Sequence, residues 1–390
     1  MTLQVRVVDF FAGCGGMSRG FASASTEAVS FEVVGGVELD KHAAATFEAS
    51  LGVPIHVGDI RDLRGSALDE VSAAWEGDGP LVLIGCAPCQ GFSSHRKKDR
   101  RSDPRNDLLA VFADIAVRLN PEVIVMENVP EMLAAGHWDH FNTWKRTVEG
   151  AGYSVRIAIH NLAGFGVPQE RFRALVIASK WRYFAMLEPP LRHSDYVTVR
   201  QAIGHLPSLA AGDTDPVDLM HVTSNHRRAT LDLIAQIPVD GGSRSSLPPG
   251  VGLDCWDGVD GFRDVYGRLW WDRPSVAITS RCRTPSCGRF THPEQHRGLS
   301  VREAALLQGF PSDAVFHGPF DEKFKQIGNA VSPIFARAVA NHIAAEWLEN
   351  HDDPSRLDLG GAEPDLPLTK SFSSSIAGIK RGRLRATNVA

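Results

Sequence analysis

The first 180 residues alternate between short apolar segments and helix-like segments, and this alternation limits the fold more than any other feature of the chain. Apolar runs rich in Val and Ile occupy residues 5–11, 31–39, 81–86, 121–127, 153–162 and 173–179. Helix-like segments lie between them, for instance at residues 17–25, 41–50 and 107–119. Continuous apolar runs of this length are typical of parallel strands that are buried on both faces. We therefore predict an α/β fold with a doubly wound, mostly parallel sheet.

The alternation ends near residue 180, and this change suggests where the domains divide. Residues 181–268 are rich in Pro, Gly, Asp and Arg and show little periodicity, so we predict a smaller irregular lobe over residues 181–296. Helical patterns return at residues 300–308 and 334–348, and we predict that residues 297–349 return to the first domain, residues 1–180. Residues 350–390 lack a hydrophobic pattern and are predicted to form a flexible tail.

Composition excludes several classes of protein. A hydrophobic content of 43% and a charged content of 22% are typical of a packed globular chain, and six cysteines do not suggest a disulfide scaffold. No apolar run reaches the roughly 20 residues of a membrane span, and the N-terminus lacks a signal pattern, so we expect a cytoplasmic protein. A net charge of −5 argues against nonspecific coating of nucleic acid. The basic stretch at residues 95–105 could nevertheless bind phosphate groups of a nucleic acid.

A glycine-rich turn follows the first predicted strand, in the sequence DFFAGCGGM at residues 9–17. Glycines allow close approach of the backbone to a cofactor, and the helix that follows favours negative groups. Glu38 ends the second strand, where a carboxylate can bind ribose hydroxyls, and Asp59 follows the next strand, where it can accept from an adenine amino group. The three features fit a nucleoside cofactor, either a nicotinamide dinucleotide or S-adenosylmethionine. The glycine spacing departs from GxGxxG and so favours S-adenosylmethionine.

Cys89 lies in the sequence GCAPCQGFS, directly after a predicted strand and Pro88. A sharp turn there would expose its thiol at the edge of the sheet. We interpret Cys86 as a packing residue, and we discount a redox or metal pair of Cys86 with Cys89 because no second ligand pair lies nearby. No metal site is predicted, because the spacing of four further residues is too irregular for zinc: Cys255, Cys282, Cys287 and His292.

Polar residues also follow the later strands. Glu127, in MENVP, ends a strand next to the one that precedes Cys89, so it is a candidate acid that could hold a heterocycle by its ring nitrogen and amino group. Arg171 and Arg173, in GVPQERFR, would face one way on a strand, with Gln169 on the same face by parity. Two guanidiniums on one face suit a phosphate or a polarised carbonyl. The sequence QIGNAVSP, at residues 326–333, opens the last helix and could return to the cofactor site.

These motifs, with residues 297–311 (RGLSVREAALLQGFP), occur in an order that closely resembles the DNA (cytosine-5) methyltransferase family. The resemblance spans roughly residues 5–333 apart from the irregular lobe, and PCQ, ENV and QxRxR taken together are highly specific. It implies a Rossmann-like class I methyltransferase fold, with the irregular lobe as a target-recognition lobe. The last motif departs slightly from the common GNAVPP, but the change, at Ser332, lies past the asparagine.

The resemblance implies a role for each motif. Cys89 would be the covalent nucleophile, and Glu127, Arg171 and Arg173 would hold the target cytosine, with Arg171 beside its O2 carbonyl. Residues 93–105 would form a mobile loop that closes over DNA. The residues implied to bind S-adenosyl-L-methionine lie in several motifs: Phe11, Gly13, Gly15, Gly16, Glu38, Asp59, Ile60, Pro88, Leu108 and Asn329.

The implied activity is sequence-specific transfer of a methyl group from S-adenosylmethionine to carbon 5 of a flipped-out cytosine. The expected partner is double-stranded DNA, within a prokaryotic restriction-modification or related defence system that could include a cognate protein. We expect a monomer with no membrane association, located in the cytoplasm and at the nucleoid when bound to DNA. The closest alternative is a cytosine-5 RNA (tRNA) methyltransferase of the same fold. Weaker alternatives are an inactive cofactor-binding protein and a nicotinamide-dependent oxidoreductase.

Overall fold

The computed structural model describes residues 2–24, 26–88, 107–181, 184–248, 250–256, 261, 263–352, 367–369 and 371–372. Cys89 and the basic stretch at residues 95–105 lie outside these ranges. Among the described residues, no helix has both the length and the apolar character that a membrane span requires.

A seven-stranded sheet forms the centre of the first part of the chain. Its strands are β1 (Leu3–Phe10), β2 (Val29–Glu38), β3 (Ile55–Val57), β4 (Leu81–Gly85), β5 (Val123–Asn128), β6 (Ser154–Asn161) and β8 (Phe172–Ser179). They lie in the order β3-β2-β1-β4-β5-β8-β6. The pairs from β3 to β5 are parallel, whereas β8 runs antiparallel to both β5 and β6. The predicted doubly wound, mostly parallel sheet is confirmed.

Helices connect the strands and continue beyond them. The helices near the sheet in sequence are α1 (Gly16–Ala22), α2 (Lys41–Leu51), α3 (Ser66–Ser72), α4 (Leu108–Leu119) and α5 (Trp138–Gly150). The later helices are α6 (Val199–Ile203), α7 (Arg228–Gln236), α8 (Val301–Gln308), α9 (Phe320–Asn329) and α10 (Pro333–Asp352), and two short strands complete the set, β7 (Gln169–Glu170) and β9 (Ser275–Val276). Every residue of β5 is buried, as a central strand covered on both faces requires.

The chain folds into two compact units. Unit 1 comprises Met1–Asn161, Phe172–Pro189 and Phe335–Ala390, and unit 2 comprises Leu162–Arg171 and Pro190–Ile334. These boundaries differ from the predicted ones: residues 297–334 belong to unit 2, and the chain returns to unit 1 only at Phe335. The helical pattern of α8 predicts a return to the sheet, but its buried polar residues are paired within unit 2.

Unit 2 is organised around buried arginines as well as apolar side chains. Arg297 is fully buried and contacts both carboxylate oxygens of Glu303, at 2.8 and 2.7 Å. Glu303 also completes a capping box with Ser300 at the start of α8. Burial alone would raise the pKa of Glu303, but the Arg297 guanidinium, together with His292 and the Ser300 amide, lowers that pKa to about 2. The buried Arg297–Glu303 pair, in which both Glu303 carboxylate oxygens accept hydrogen bonds, therefore stabilises the start of α8 in unit 2.

Within residues 350–390, which the sequence predicts to be a tail, the described residues make specific contacts. Helix α10 continues to Asp352. Thr369 forms a parallel β-bridge with Ala134, and the Phe372 side chain is only 4% exposed within the core of unit 1. One apolar residue among polar neighbours produces no periodicity, so the sequence pattern could not reveal this contact.

Candidate active site

The glycine-rich turn lies at the carboxyl end of β1 and begins α1. Phe11, Gly13 and Gly15 have positive φ values of 58°, 56° and 79°. Gly15 is the N-cap residue of α1, and a Cβ atom there would lie 3.0 Å from the Phe47 ring, so a side chain would be crowded as well as strained. Gly16 follows as the first residue of the helix. The turn thus presents its backbone at the edge of the sheet, as a cofactor site requires.

Glu38 joins this turn to the neighbouring strand. Its Oε2 accepts a hydrogen bond from the Gly13 amide at 2.8 Å, and its Oε1 accepts one from the Asp40 amide at 2.7 Å. Burial raises the pKa of Glu38, while these amide donors oppose that effect. Each carboxylate oxygen has a second lone pair, so the group can also accept from a diol. The structure therefore brings the predicted ribose acid onto the predicted glycine turn.

Asp59 follows β3, which pairs with the carboxyl end of β2 through Glu38 and Val57. Its carboxylate accepts from the Arg61 backbone amide and forms an ion pair with the Arg61 guanidinium, which lowers the pKa of Asp59. Ile60 begins a short 3-10 helix and is buried in the same core as Leu108, the first residue of α4. These predicted cofactor residues lie around one edge of unit 1.

A buried carboxyl group that the sequence motifs did not reveal lies below the turn. Asp9 is 1% exposed, and its Oδ2 accepts a hydrogen bond of 2.5 Å from the Ser18 hydroxyl of α1. Burial raises the pKa of Asp9 to about 7, although the Ser18 hydrogen bond opposes the shift. The pair ties β1 to the helix that follows the turn. The aspartate that opens the glycine motif was the available signal.

Glu127 lies near the carboxyl end of β5 and is held from both neighbouring strands. The Cys86 thiol, just after β4, donates to Glu127 Oε2 at 3.1 Å. Arg173 on β8 places its Nε 2.9 Å from Glu127 Oε1, at ion-pair distance but without hydrogen-bond alignment. The Glu127 side chain is only 3% exposed. Cys86 was predicted to be a packing residue, but it also donates a hydrogen bond to Glu127. The parallel pairing of β4 with β5, which places Gly85 beside Met126, could have indicated this contact.

The segment that leads to Cys89 is tied to the same strand end. The buried Asn128 side chain donates to the Ala87 carbonyl at 3.2 Å and accepts from the Val129 amide at 2.8 Å. Pro88 is half-buried and is the last described residue before Cys89. The asparagine of ENV thus fixes the backbone one residue before Pro88, and the predicted neighbourhood of Glu127 and the PCQ motif is present up to that point.

The remaining predicted residues lie in unit 2. Arg171 is 5% exposed and donates to the carbonyls of Ile278 at 2.6 Å and Gly328 at 3.2 Å. Gln169 is fully buried and accepts from the Ile278 amide. Asn329 ends α9 and is exposed. The two arginines do not share one strand face as predicted, because the strand is interrupted at Arg171 and only Arg173 belongs to β8.

The fold is that of the Rossmann-like methyltransferase class, with a glycine turn and Glu38 at the sheet edge that also carries the buried Glu127–Arg173 pair. Residues 5–345 match the model of the C-5 cytosine-specific DNA methylase family. The chain belongs to that family and is a DNA cytosine-5 methyltransferase. This assignment favours the main prediction over the RNA and oxidoreductase alternatives.

Curated relatives match over nearly their full length. The chain is 33% identical to the type II methylase M.HgiDII of Herpetosiphon aurantiacus over 357 residues, which cover 90% of this chain and 98% of that protein. It is 34% identical to the type II methyltransferase M1.HphI of Haemophilus parahaemolyticus, with 87% of each chain covered. A crystal structure of a prophage-encoded protein of E. coli shares the fold, with a TM-score of 0.69, 24% identity and coverage of 88% of this chain and 99% of that one.

Proposed function

We propose that this chain methylates carbon 5 of a cytosine within a specific sequence of double-stranded DNA, through a covalent adduct with Cys89, and that S-adenosylmethionine is the methyl donor. The observation that carries the proposal is the Glu127 carboxylate, buried at the carboxyl edge of the sheet and held by Cys86 and Arg173. A buried carboxyl group there can donate to a ring nitrogen or accept from an amino group.

The residues at the carboxyl edge fit S-adenosylmethionine. Phe11, Gly13 and Gly15 have left-handed backbone conformations, and beside Gly13 there is open space, where an added Cβ would meet no atom within 4 Å. Glu38 would bind the ribose hydroxyls, and Asp59 would accept from the adenine amino group while keeping its Arg61 partner. When bound, the cofactor supplies an electrophilic methyl group on sulfur. The remaining chemistry falls to the side chains of this chain.

Cys89 activates the cytosine in this proposal. Its thiolate adds to carbon 6, forming a C–S bond and making carbon 5 nucleophilic. Glu127 holds N3 and the amino group as electron density shifts into the ring. After methylation, loss of the carbon 5 proton and cleavage of the C–S bond release 5-methylcytosine and the Cys89 thiolate.

Arg173 is the better candidate for the O2 carbonyl of cytosine, although the resemblance assigned that position to Arg171. Arg173 lies beside Glu127, whereas Arg171 donates to two backbone carbonyls of unit 2. A guanidinium beside O2 would stabilise the negative charge that develops there. We propose that Arg171 instead keeps the Ile278 and Gly328 segments together.

The DNA must expose its base for this chemistry, because carbon 6 is inaccessible within a stacked duplex. Flipping one base costs about a few kcal/mol, and the basic stretch at residues 95–105 offers phosphate contacts that would offset it. Unit 2 is the proposed target-recognition unit. Because the curated relatives are type II methyltransferases, we also propose a restriction-modification role in a prokaryotic cytoplasm, with the chain acting as a monomer beside a cognate nuclease.

The test is expression in a host that lacks cytosine methylation, followed by bisulfite sequencing of the host DNA. The wild type should methylate one cytosine in a short motif, and Cys89→Ala should not. A Cys287→Ser variant, which changes an exposed cysteine of unit 2, should retain full activity. Unmethylated DNA from folded wild type that binds S-adenosylmethionine would refute the DNA proposal, and methylation of host RNA in the same cells would favour the RNA alternative.

A further inference from the structure

A buried hydrogen bond closes the base of the glycine-rich turn. Asp9 is the next-to-last residue of β1, and Ser18 is the third residue of α1. The Ser18 hydroxyl donates to Asp9 Oδ2 at 2.5 Å, and Ser18 and Asp9 are 0% and 1% exposed. This bond therefore joins the segment that enters the turn to the segment that leaves it.

The turn has a backbone conformation that needs support from its surroundings. Phe11 has a φ of 58°, in the left-handed region. A residue other than glycine is disfavoured there and persists only where neighbouring structure holds it. The Ala12 amide donates to the Val37 carbonyl of β2 at 3.1 Å, which fixes the turn on the side of the sheet. The Asp9–Ser18 bond fixes it on the side of α1.

The conformation of the turn also affects Glu38, the proposed ribose acid. Glu38 Oε2 accepts from the Gly13 amide at 2.8 Å, and Oε1 accepts from the Asp40 amide at 2.7 Å. Gly13 belongs to the turn, so a change in the turn would move this donor and release one carboxylate oxygen. The Asp9–Ser18 bond can therefore act on Glu38 through Gly13.

A buried carboxyl group is an unfavourable means of joining a strand to a helix. Burial raises the pKa of Asp9 to about 7, the Ser18 hydrogen bond opposes this shift, and the nearby Glu38 charge adds to it. Apolar side chains would join β1 to α1 without placing a poorly solvated carboxylate in the core. A role in the adjacent site explains the pair better than the stability of the fold does.

We propose that Asp9 and Ser18 are positioning residues, whose hydrogen bond holds the glycine-rich turn in the conformation that binds S-adenosylmethionine. This inference rests on the proposed function for the identity of the cofactor. Neither side chain has to touch the cofactor, because the bond acts through the turn and through Glu38. When the bond is lost, the turn should adopt other conformations for most of the time, and the apparent affinity should fall with the fraction that remains competent.

The first test measures the Kd for S-adenosylmethionine by calorimetry on the purified full chain. Ser18→Ala should weaken binding about tenfold, which corresponds to a turn that is competent about one-tenth of the time. Ser23→Ala is the matched control and should bind like the wild type. Ser23 is the C-cap residue of the same helix, and its hydroxyl donates to the Gly20 carbonyl at 2.9 Å. A wild-type Kd for Ser18→Ala would overturn the proposal.

Two further variants separate the hydrogen bond from charge and from folding. Asp9→Asn keeps an oxygen that can accept from Ser18, so it should weaken binding only about threefold. A loss as large as that of Ser18→Ala would show that the charge of Asp9 matters instead of the bond, and would overturn the proposal. Ser18→Cys keeps a weaker donor and should give an intermediate Kd. If Ser18→Ala does not fold, wild-type affinity in Ser18→Cys would overturn the proposal.

Amide hydrogen exchange of the unliganded chain is a readout that needs neither cofactor nor DNA. The peptide that covers residues 11–15 should exchange about tenfold faster in Ser18→Ala than in the wild type, and at the wild-type rate in Ser23→Ala. Unchanged exchange in a Ser18→Ala chain with a lower unfolding temperature would assign the pair to the stability of the fold, and the proposal would fail.

Steady-state kinetics then separate this proposal from the proposed function. In Ser18→Ala, the KM for S-adenosylmethionine should rise about tenfold, while kcat at saturating cofactor should change by less than about twofold. A lower kcat with an unchanged KM would overturn the positioning role. If the wild type neither binds S-adenosylmethionine nor methylates DNA, the proposed function fails, and the exchange measurement still decides what the pair does for the turn. If the wild type methylates DNA and Ser18→Ala matches it in KM, the positioning role fails and the proposed function remains.

Discussion

At the residue scale, the Glu127 carboxyl group, which we propose holds the cytosine, is itself held by a cysteine for which we propose no catalytic role. Cys86 donates to one Glu127 oxygen while Arg173 contacts the other, so the carboxylate is restrained from two strands. A thiol is a weak donor, and losing a hydrogen bond to a charged group of this kind costs about 1 kcal/mol, which corresponds to about fivefold in rate. Orientation of Glu127 thus depends on a residue outside the PCQ motif.

We predict that Cys86→Ala lowers kcat about fivefold with little change in the KM for S-adenosylmethionine, because only the hold on Glu127 is lost. Cys86→Ser restores a hydroxyl donor and should recover most of the rate. Steady-state kinetics on a defined duplex will check this. Equal rates for wild type and Cys86→Ala would show that Arg173 alone orients Glu127.

The buried Asp9 should make the free energy of unfolding depend on pH. Its pKa is about 7 in the folded chain and about 3.8 when unfolded, so the folded state retains a proton that the unfolded state loses. The free energy of unfolding should therefore fall as pH rises from about 4 to about 7, by a few kcal/mol, and then level off. Urea unfolding of the wild type and Asp9→Asn at several pH values will measure the difference. The difference isolates Asp9 from other groups that titrate there, and parallel curves for the two proteins would contradict the assignment.

At the element scale, the parallel strands were the most predictable part of the molecule. β4 and β5 are buried along almost their whole length, which leaves an unbroken apolar run in the sequence, whereas β6, with half of its residues partly exposed, is less regular. Arg171 shows where this reasoning ends: alternation along QERFR predicted one strand face, but the strand breaks there, and Arg171 turns to carbonyls more than 100 residues away. The spacing of residues in a sequence reflects local strand geometry, whereas the carbonyl partners of Arg171 are set by tertiary packing.

The candidate site likewise combines residues that the sequence could predict with contacts that it could not. The glycine turn, Glu38, Glu127 and Arg173 lie at strand ends, so the sheet order brings them to one edge and the sequence could predict them. The contact of Cys86 with Glu127 depends on strand register, and the burial of Phe372 in the core of unit 1 depends on packing between distant residues. No local sequence pattern predicts either. The role of Cys89 remains a prediction.

Helix α8 supplies a prediction about its buried ion pair. Glu303→Gln should reduce the free energy of unfolding by about 3–5 kcal/mol, because the buried Arg297 would lose its charged partner. The pKa of Glu303 is lowered, so its contribution is complete above pH 4.5 and is lost as pH falls towards about 2. Thermal unfolding will measure the loss. The surface pair of α9 provides the control, since Glu322→Gln, opposite Lys325, should change stability by less than about 1 kcal/mol.

At the scale of the whole molecule, unit 1 requires chain from both ends of the sequence. Phe335, Val339 and Ile343 on α10 are each 1% exposed within the segment that returns to unit 1. The sequence predicts that the chain returns to the first domain from residue 297, and unit 1 resumes at Phe335. Helices α8 and α10 share a helical pattern, and only tertiary contacts assign them to different units.

A chain that ends at Ile334 should therefore fail to fold, whereas one that ends at Phe372 should keep the native unfolding transition. Removal of three buried apolar side chains costs several kcal/mol, which is comparable with the total stability of a typical domain. Circular dichroism and thermal unfolding of the two truncated chains will distinguish these outcomes. A cooperative transition in the shorter chain would show that unit 1 is independent of α10.

The division of unit 2 between two stretches of chain also restricts how such a protein can exchange parts during evolution. A genetic crossover that imported residues 190–334 from a relative would leave residues 162–171 behind, including Gln169, whose strand pairs with β9 at Ser275. The donated segment would then meet an unrelated strand partner. A new unit 2 can be inherited intact only when residues 162–171 are exchanged together with residues 190–334 or already match them. Recombination should therefore exchange these two segments as a pair.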